Sequence, residues 1–155
     1  ALLPYIFKAI EAVAGGENAD HIDEALVDFG MPMGPVELAD QIGLDVCLDA
    51  GIVLGIAPAA KTLLDEKCKA GTIGRKSGSG FYEWDGNQAI RARQSQDPSV
   101  MATIAKNMLT PMIEECRQAV DEQVVDSADS ADAGMIFGIG FPGFRGGPLN
   151  WAKEN

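Results

Sequence analysis

The sequence has no apolar run of 18 residues, so it carries no candidate membrane-spanning helix. Positive charge is scarce. Twelve Lys and Arg stand against 23 Asp and Glu, and the formal net charge of −11 would repel a phosphate backbone, which excludes nucleic acid as a partner. The three cysteines, Cys47, Cys68 and Cys116, form no CxxC or CxxH spacing. They exclude a zinc-finger or disulfide framework and read as reduced thiols in a cytoplasmic compartment. The opening "ALLPYIFKAIEAV" has no basic segment, so no signal peptide is expected. It also begins without Met or a helix cap, inside an amphipathic pattern, as expected of a piece of a longer chain. No glycine fingerprint follows a strand-like run, and no metal-ligand spacing occurs.

What is there is helical. With 155 residues and 46% hydrophobic composition, the chain is long enough to bury a sizeable core. Leu2, Leu3, Ile6, Ile10 and Val13 recur at helical spacing up to Gly15-Gly16. Asn18 or Asp20 is placed to cap a second helix that ends near Gly30. After "MPMGP", Pro35 suits the first turn of a third helix, and Asp45 suits the cap of a fourth. Pro58 opens a fifth that Gly71 closes. "FYEW" is the one strand-like run, and residues 87 to 98 are polar enough to read as a linker. A long helix follows through Met101, Ile104, Met108, Ile113, Cys116, Val120 and Val124, with Pro111 removing one of its hydrogen bonds.

Charge is unevenly spread. Lys61, Lys67, Lys69, Arg75 and Lys76 are five of the twelve bases in sixteen residues, and 114 to 132 holds seven acids and one base. Both stretches read most simply as solvated helix faces. "GRKSGSGFYEW" (74 to 84) looks at first like a phosphate loop. A Walker loop, however, needs Gly immediately before Lys, and Arg75 intervenes here; a dinucleotide loop needs a strand before and a helix after, and the order here is reversed. The glycines are expected instead to make a tight turn that folds "FYEW" onto the helices.

The sequence also repeats. "LLPYIFKAIEAV" and "LTPMIEECRQAV" share Leu, Pro, Ile, Ala and Val at an offset of 107 residues. Further on, Gly30 matches Gly140, Pro32 matches Pro142, and Gly34-Pro35 matches Gly147-Pro148 after a three-residue insertion. Two copies are expected to bury their apolar faces on each other, like a dimer fused into one chain. Their expected bounds are 1 to 86 and, truncated or atypical, 87 to 155.

"FGMPMGPVELADQIGLDV", followed by "GRKSGSGFYEW", resembles the C-terminal domain of the 3-hydroxyacyl-CoA dehydrogenases. "GMIFGIGFPGFRGGPLNWA" is similar to the second such domain in the multifunctional α-subunit of the fatty-acid oxidation complex. The resemblance implies an all-α fold, a duplicated helical domain of the 6-phosphogluconate dehydrogenase C-terminal-domain-like type. It implies a parent enzyme of fatty-acid β-oxidation that handles acyl-CoA, is multifunctional with an enoyl-CoA hydratase, and can pair with a thiolase β-subunit. In the family an N-terminal Rossmann domain binds NAD and supplies a His–Glu pair; His21, the single histidine, reads as a surface residue. The family's substrate-contacting Asn-Arg pair would fall just before Ala1. The fragment is thus expected to hold no catalytic, cofactor-binding or metal-binding residue and to be inactive alone. Substrate contact is expected at Met33, Gly34 and Pro35 of the rigid "MPMGP" turn, with helix–helix packing alone as the alternative there, and at Phe137, which stands where the family has a tyrosine and so lacks its hydroxyl. Arg145 is expected to meet an acid or the carboxyl end of a helix. The alternative is a helical oligomerisation or binding module without a catalytic role.

Overall fold

A computed structural model describes residues 2 to 154. Its first five helices are α1 (Leu2–Ala14), α2 (Ala19–Phe29), α3 (Pro35–Ile42), α4 (Leu44–Leu54) and α5 (Pro58–Lys69). A two-stranded antiparallel hairpin follows, β1 (Glu83–Asp85) and β2 (Gln88–Ile90), with Trp84 opposite Ala89. Then come α6 (Pro98–Asp121), α7 (Ala128–Ile139) and α8 (Pro148–Glu154). The all-α expectation holds, and no described helix is long and apolar enough to cross a membrane.

The helix ends follow their capping chemistry. Asn18, not Asp20, caps α2 by accepting the His21 N–H, and Gly30 closes it at φ 122°. Asp97 and Ser127 cap α6 and α7 in the same way. Helix α4 begins two residues earlier than the Asp45 cap implies, directly after Gly43; Asp45 instead lies in the first turn and pairs with Lys76. Pro111 is accommodated inside the continuous 24-residue α6.

Helix α6 lies across both α1 and α2 and closes the core. Tyr5, Ile6, Ile10, Ile22, Leu26, Leu109, Met112 and Phe141 are all fully buried there. The two ends of the chain meet at the C-terminus of α2. The Phe29 ring packs edge-on against Phe141 at 5.6 Å and against Trp151 at 5.1 Å. Arg145 donates from Nε to the Phe29 carbonyl at 2.8 Å and lies 4.0 Å above the same ring. It therefore meets the carboxyl end of a helix, where a cation suits the dipole.

Residues 87 to 98 are not a loose linker. The expected boundary at 86/87 falls in the turn of the β1–β2 hairpin, and Arg91 just beyond it is an ion-pair hub with a side chain only 2% exposed. Its guanidinium reaches Asp20 at 2.8 Å, Glu24 at 3.2 Å and Glu37 at 3.4 Å. The backbone N–H groups of Arg93 and Gln94 donate to the same Asp20 carboxylate. Arg91 thus ties α2 and α3 to the strand segment, while most of the other polar residues here are exposed.

Candidate functional site

Two buried carboxylates organise the first half. Asp23 on α2 accepts the Val36 and Glu37 N–H groups at the start of α3, both at 2.8 Å, and the Tyr82 hydroxyl at 2.6 Å. Asp40 on α3 accepts the Phe81 and Tyr82 N–H groups and the Trp84 indole N–H at 2.9, 3.0 and 2.9 Å. The "FYEW" run is thus folded onto the helices by two aspartates, each saturated with donors. Burial pushes Asp40 above the ordinary carboxylate range despite those donors. The Tyr82 phenol is driven far up, first by burial and then by the Asp23 charge and its hydrogen bond.

The glycine-rich stretch exists for this docking. Its backbone presses on Asp40, so a β-carbon at Gly80 would collide with the Asp40 carboxylate, 2.7 Å from its Cγ and 2.6 Å from the Gly74 Cα. Gly78 faces open space but has φ 83°, in the left-handed region. Gly80→Ala is expected to cost about 1–3 kcal/mol by overpacking and Gly78→Ala about 1 kcal/mol by backbone strain. Lys76→Ala, which removes an exposed pair with Asp45, should cost at most about 1 kcal/mol. Differential scanning calorimetry of the three variants checks the ranking.

Burial, the largest effect, pushes the Asp23 carboxyl up to about 7, while Tyr82, the two backbone donors and Arg91 act in the opposite direction. A folded pKa above the unfolded one means that the native state binds the extra proton. The stabilising contribution is complete below about pH 4 and is lost as pH rises through about 7. Melting temperature should therefore fall between pH 6 and pH 8. Asp23→Asn, which cannot ionise, should flatten that slope even while lowering stability overall.

The second half repeats the device. Asp132 on α7 is buried and accepts the Leu149 and Asn150 N–H groups at 2.7 and 3.1 Å, at the start of α8. Asp132 thus serves α8 as Asp23 serves α3, and Gly147 abuts Asp132 as Gly34 abuts Asp23. The loops that follow α2 and α7 are pressed together reciprocally. A β-carbon at Gly30 would lie 2.8 Å from Pro142 Cβ, and one at Gly140 would lie 2.9 Å from Pro32 Cγ. Neither Asp23 nor Asp132 was singled out from the sequence. A signal was present, since each stands on the helix ahead of a Gly-Pro that opens the next helix.

This packing sets the candidate substrate residues. Gly34 and Pro35 are buried, Met33 is half-buried, and Phe137 is 89% exposed. Pro32 against Gly140 brings the "MPMGP" turn beside the end of α7, one helical turn from Phe137. Phe144, also exposed, lies against Gly30 beside Pro142. Of the four expected residues only Met33 and Phe137 reach the surface, and none of the four has a titratable side chain.

Other openings lie elsewhere. Grooves of about 570 and 580 Å³ run beside α6, and a recess of about 320 Å³ has Phe7, Leu54, Ile56 and Pro111 on its walls together with Lys8, Glu11 and Glu115. Ile52, Val53 and Leu54 at the end of α4 are exposed beside that recess. Among the described residues there is no cluster of His, Cys, Asp or Glu arranged to hold a metal ion.

The family described as "3-hydroxyacyl-CoA dehydrogenase, C-terminal domain" matches residues 1–84. The chain belongs to that family. The crystal structure of 3-hydroxybutyryl-CoA dehydrogenase from Escherichia coli K12 is similar in fold, with a TM-score of 0.69 over 97% of this chain at 20% identity. The chain spans about half of that protein, 51%.

The glycine-rich stretch at 74 to 80 does not fit NAD. It is packed against Asp40, and the Phe81 and Tyr82 N–H groups just beyond it, which a phosphate would need, are taken by the Asp40 carboxylate. A carboxylate at that place repels a pyrophosphate.

Proposed function

We propose that this chain is the C-terminal substrate-binding and assembly region of an NAD-dependent (S)-3-hydroxyacyl-CoA dehydrogenase of fatty-acid β-oxidation. The NAD site and the proton-removing His–Glu pair belong to an N-terminal Rossmann domain of the parent, and the fragment is inactive alone. The carrying observation is the family match over residues 1–84, joined to the close approach of Pro32 and Gly140 that brings the "MPMGP" turn beside the end of α7. Met33 and Phe137 supply one wall for the acyl chain, and the buried Gly34 and Pro35 fix the turn that presents Met33. None of them can move a proton, whereas an alkyl chain needs only a dry, shaped surface.

Residues 1 to 86 and 87 to 155 are two copies of one helical unit. The paired Asp23 and Asp132 caps and the reciprocal Gly–Pro contacts support this. The second copy's likeness to the multifunctional α-subunit supports a parent that also carries an enoyl-CoA hydratase and associates with a thiolase, in the cytoplasm. The exposed apolar end of α4 supports an assembly role alongside substrate binding.

Phe137→Ala in the full-length parent tests the wall. Phe137 is exposed, so the variant should fold. Truncating the ring should raise KM for a C16 substrate by about tenfold, corresponding to ~1.4 kcal/mol of lost contact, and for a C4 substrate by less than about twofold. An equal fall in kcat for both lengths would place Phe137 at the reacting centre. Parent-like kinetics for both would remove it from the site.

A further inference from the structure

Two grooves beside α6 adjoin at Glu17 and Asn107, which line both, and together make a channel along the helix. One wall is α1 and the start of α2, from Lys8 through Glu11 and Asn18 to His21. The other is α6 from Ser99 to Glu114. Fifteen steps of 1.5 Å from Ser99 to Glu114 make it about 22 Å long. Val100, which is exposed, and the half-buried Ala12, Ile104 and Pro111 supply its apolar surface.

The rim is predominantly acidic. Glu11 and Glu17 stand on one wall and Glu114 on the other, all exposed, and Lys8 is the single Lys or Arg beside them. Among the described residues, none of these three carboxylates is in an ion pair. Pro111 adds a further acceptor. It has no N–H, so the Asn107 carbonyl in the channel wall loses the bond that a helix would normally give it.

We propose that this channel docks a basic amphipathic helix of a partner protein. The occupant lays an apolar face on the floor and carries Lys or Arg between the two acidic walls. About 15 helical residues match the length, and helix-in-groove recognition needs this combination of floor and rim. A second copy of this chain is disfavoured, because each copy carries a net charge of −11 and would bring like charge to an acidic rim. The CoA moiety of a substrate is disfavoured for the same reason, so the channel is separate from the acyl wall.

The test uses three synthetic sixteen-residue peptides against the 155-residue chain: an amphipathic Leu/Lys helix, the same design with Glu for Lys, and a scramble of equal Lys content that cannot form an apolar face. Isothermal titration calorimetry should give saturable one-to-one binding for the first peptide alone. The triple variant Glu11→Lys, Glu17→Lys, Glu114→Lys should weaken it by about tenfold or more, with steep salt dependence. A second triple, Asp49→Lys, Glu66→Lys, Asp85→Lys, makes the same net-charge change at exposed positions away from the channel and should change Kd by less than about twofold. Circular dichroism verifies that both triples are folded. Equal binding of the scrambled peptide, equal loss in both triples, or no binding at all would overturn the proposal. Sedimentation showing a dimer that the first triple alone dissociates would also overturn it, in favour of a second copy.

Discussion

Gly34→Ala and Gly147→Ala should each cost roughly 3 kcal/mol or more, lowering the melting temperature by about 6–12 °C in a chain of this size. Both glycines precede a proline that opens a helix, and both abut the aspartate that caps it. A β-carbon at Gly34 would collide with the side chain and Cα of Asp23, and one at Gly147 with the side chain of Asp132. The carboxylates cannot retreat, because each accepts two backbone N–H groups of the helix that follows. Gly147 adds a backbone term, since its φ is 99°. Gly134→Ala is the contrast: it lies within α7 with nothing within 4 Å of an added β-carbon, and it should stabilise by about 0.5–1 kcal/mol through helix propensity. Thermal melts of the three variants decide the matter, and a Gly34→Ala protein that melts like the parent would refute the packing account. The same collision makes bulky substitutions of Gly34 unsuitable for probing substrate contact, because they would report on α2–α3 packing first.

Arg91→Ala should cost about 3–5 kcal/mol, the range for breaking a buried ion pair and leaving its partners uncompensated. The loss is severe here because three carboxylates, Asp20, Glu24 and Glu37, converge on one guanidinium and would be left facing one another. Arg91→Lys should recover only part, since a single ammonium cannot reach three acids as a planar fork does. Urea denaturation measures this as a shift in midpoint at unchanged m-value. A cost below about 1 kcal/mol for Arg91→Ala would mean that the network is solvated in solution.

The helices were legible because local signals agreed. Apolar spacing, Asn18 ahead of α2, Pro35 and Pro58 at helix starts and Gly30 at a helix end all act over a few residues, and all were realised. Helix α7 was harder to read: "ADSADAGMIFGI" carries two glycines and little amphipathic contrast, and its structure rests on the Ser127 cap and on packing against α6 and α8. The buried acids were the main thing hidden. Asp20, Asp23, Asp40 and Asp132 look in sequence like solvent-facing residues, because burying a carboxylate costs free energy unless donors meet it. Those donors lie 13 to 74 residues away and become visible only in three dimensions. Arg91 was missed for the same reason, and its polar neighbours read as a linker. The glycine stretch was legible as a turn from the order of its residues. Its target, Asp40, was not. The proposed acyl wall rests on a resemblance in sequence; what the sequence did not show is that Pro32 and Gly140 are neighbours.

The position of α6 bears on how this chain emerges during synthesis. Helices α1 and α2 are complete by residue 29, but α6, which covers both, ends only at Asp121. At about 5–20 residues per second, the ribosome takes roughly 5–18 s to make the intervening 92 residues. Throughout that interval Ile6, Ile10, Ile22 and Leu26 have no α6 to lie against. The nascent chain therefore presents a sticky surface for several seconds, long enough for a chaperone to bind and for neighbouring chains on the same message to stick together. Slowing translation between α2 and α6 should lower soluble yield, and supplying residues 98 to 121 as a separate peptide during synthesis should restore part of it.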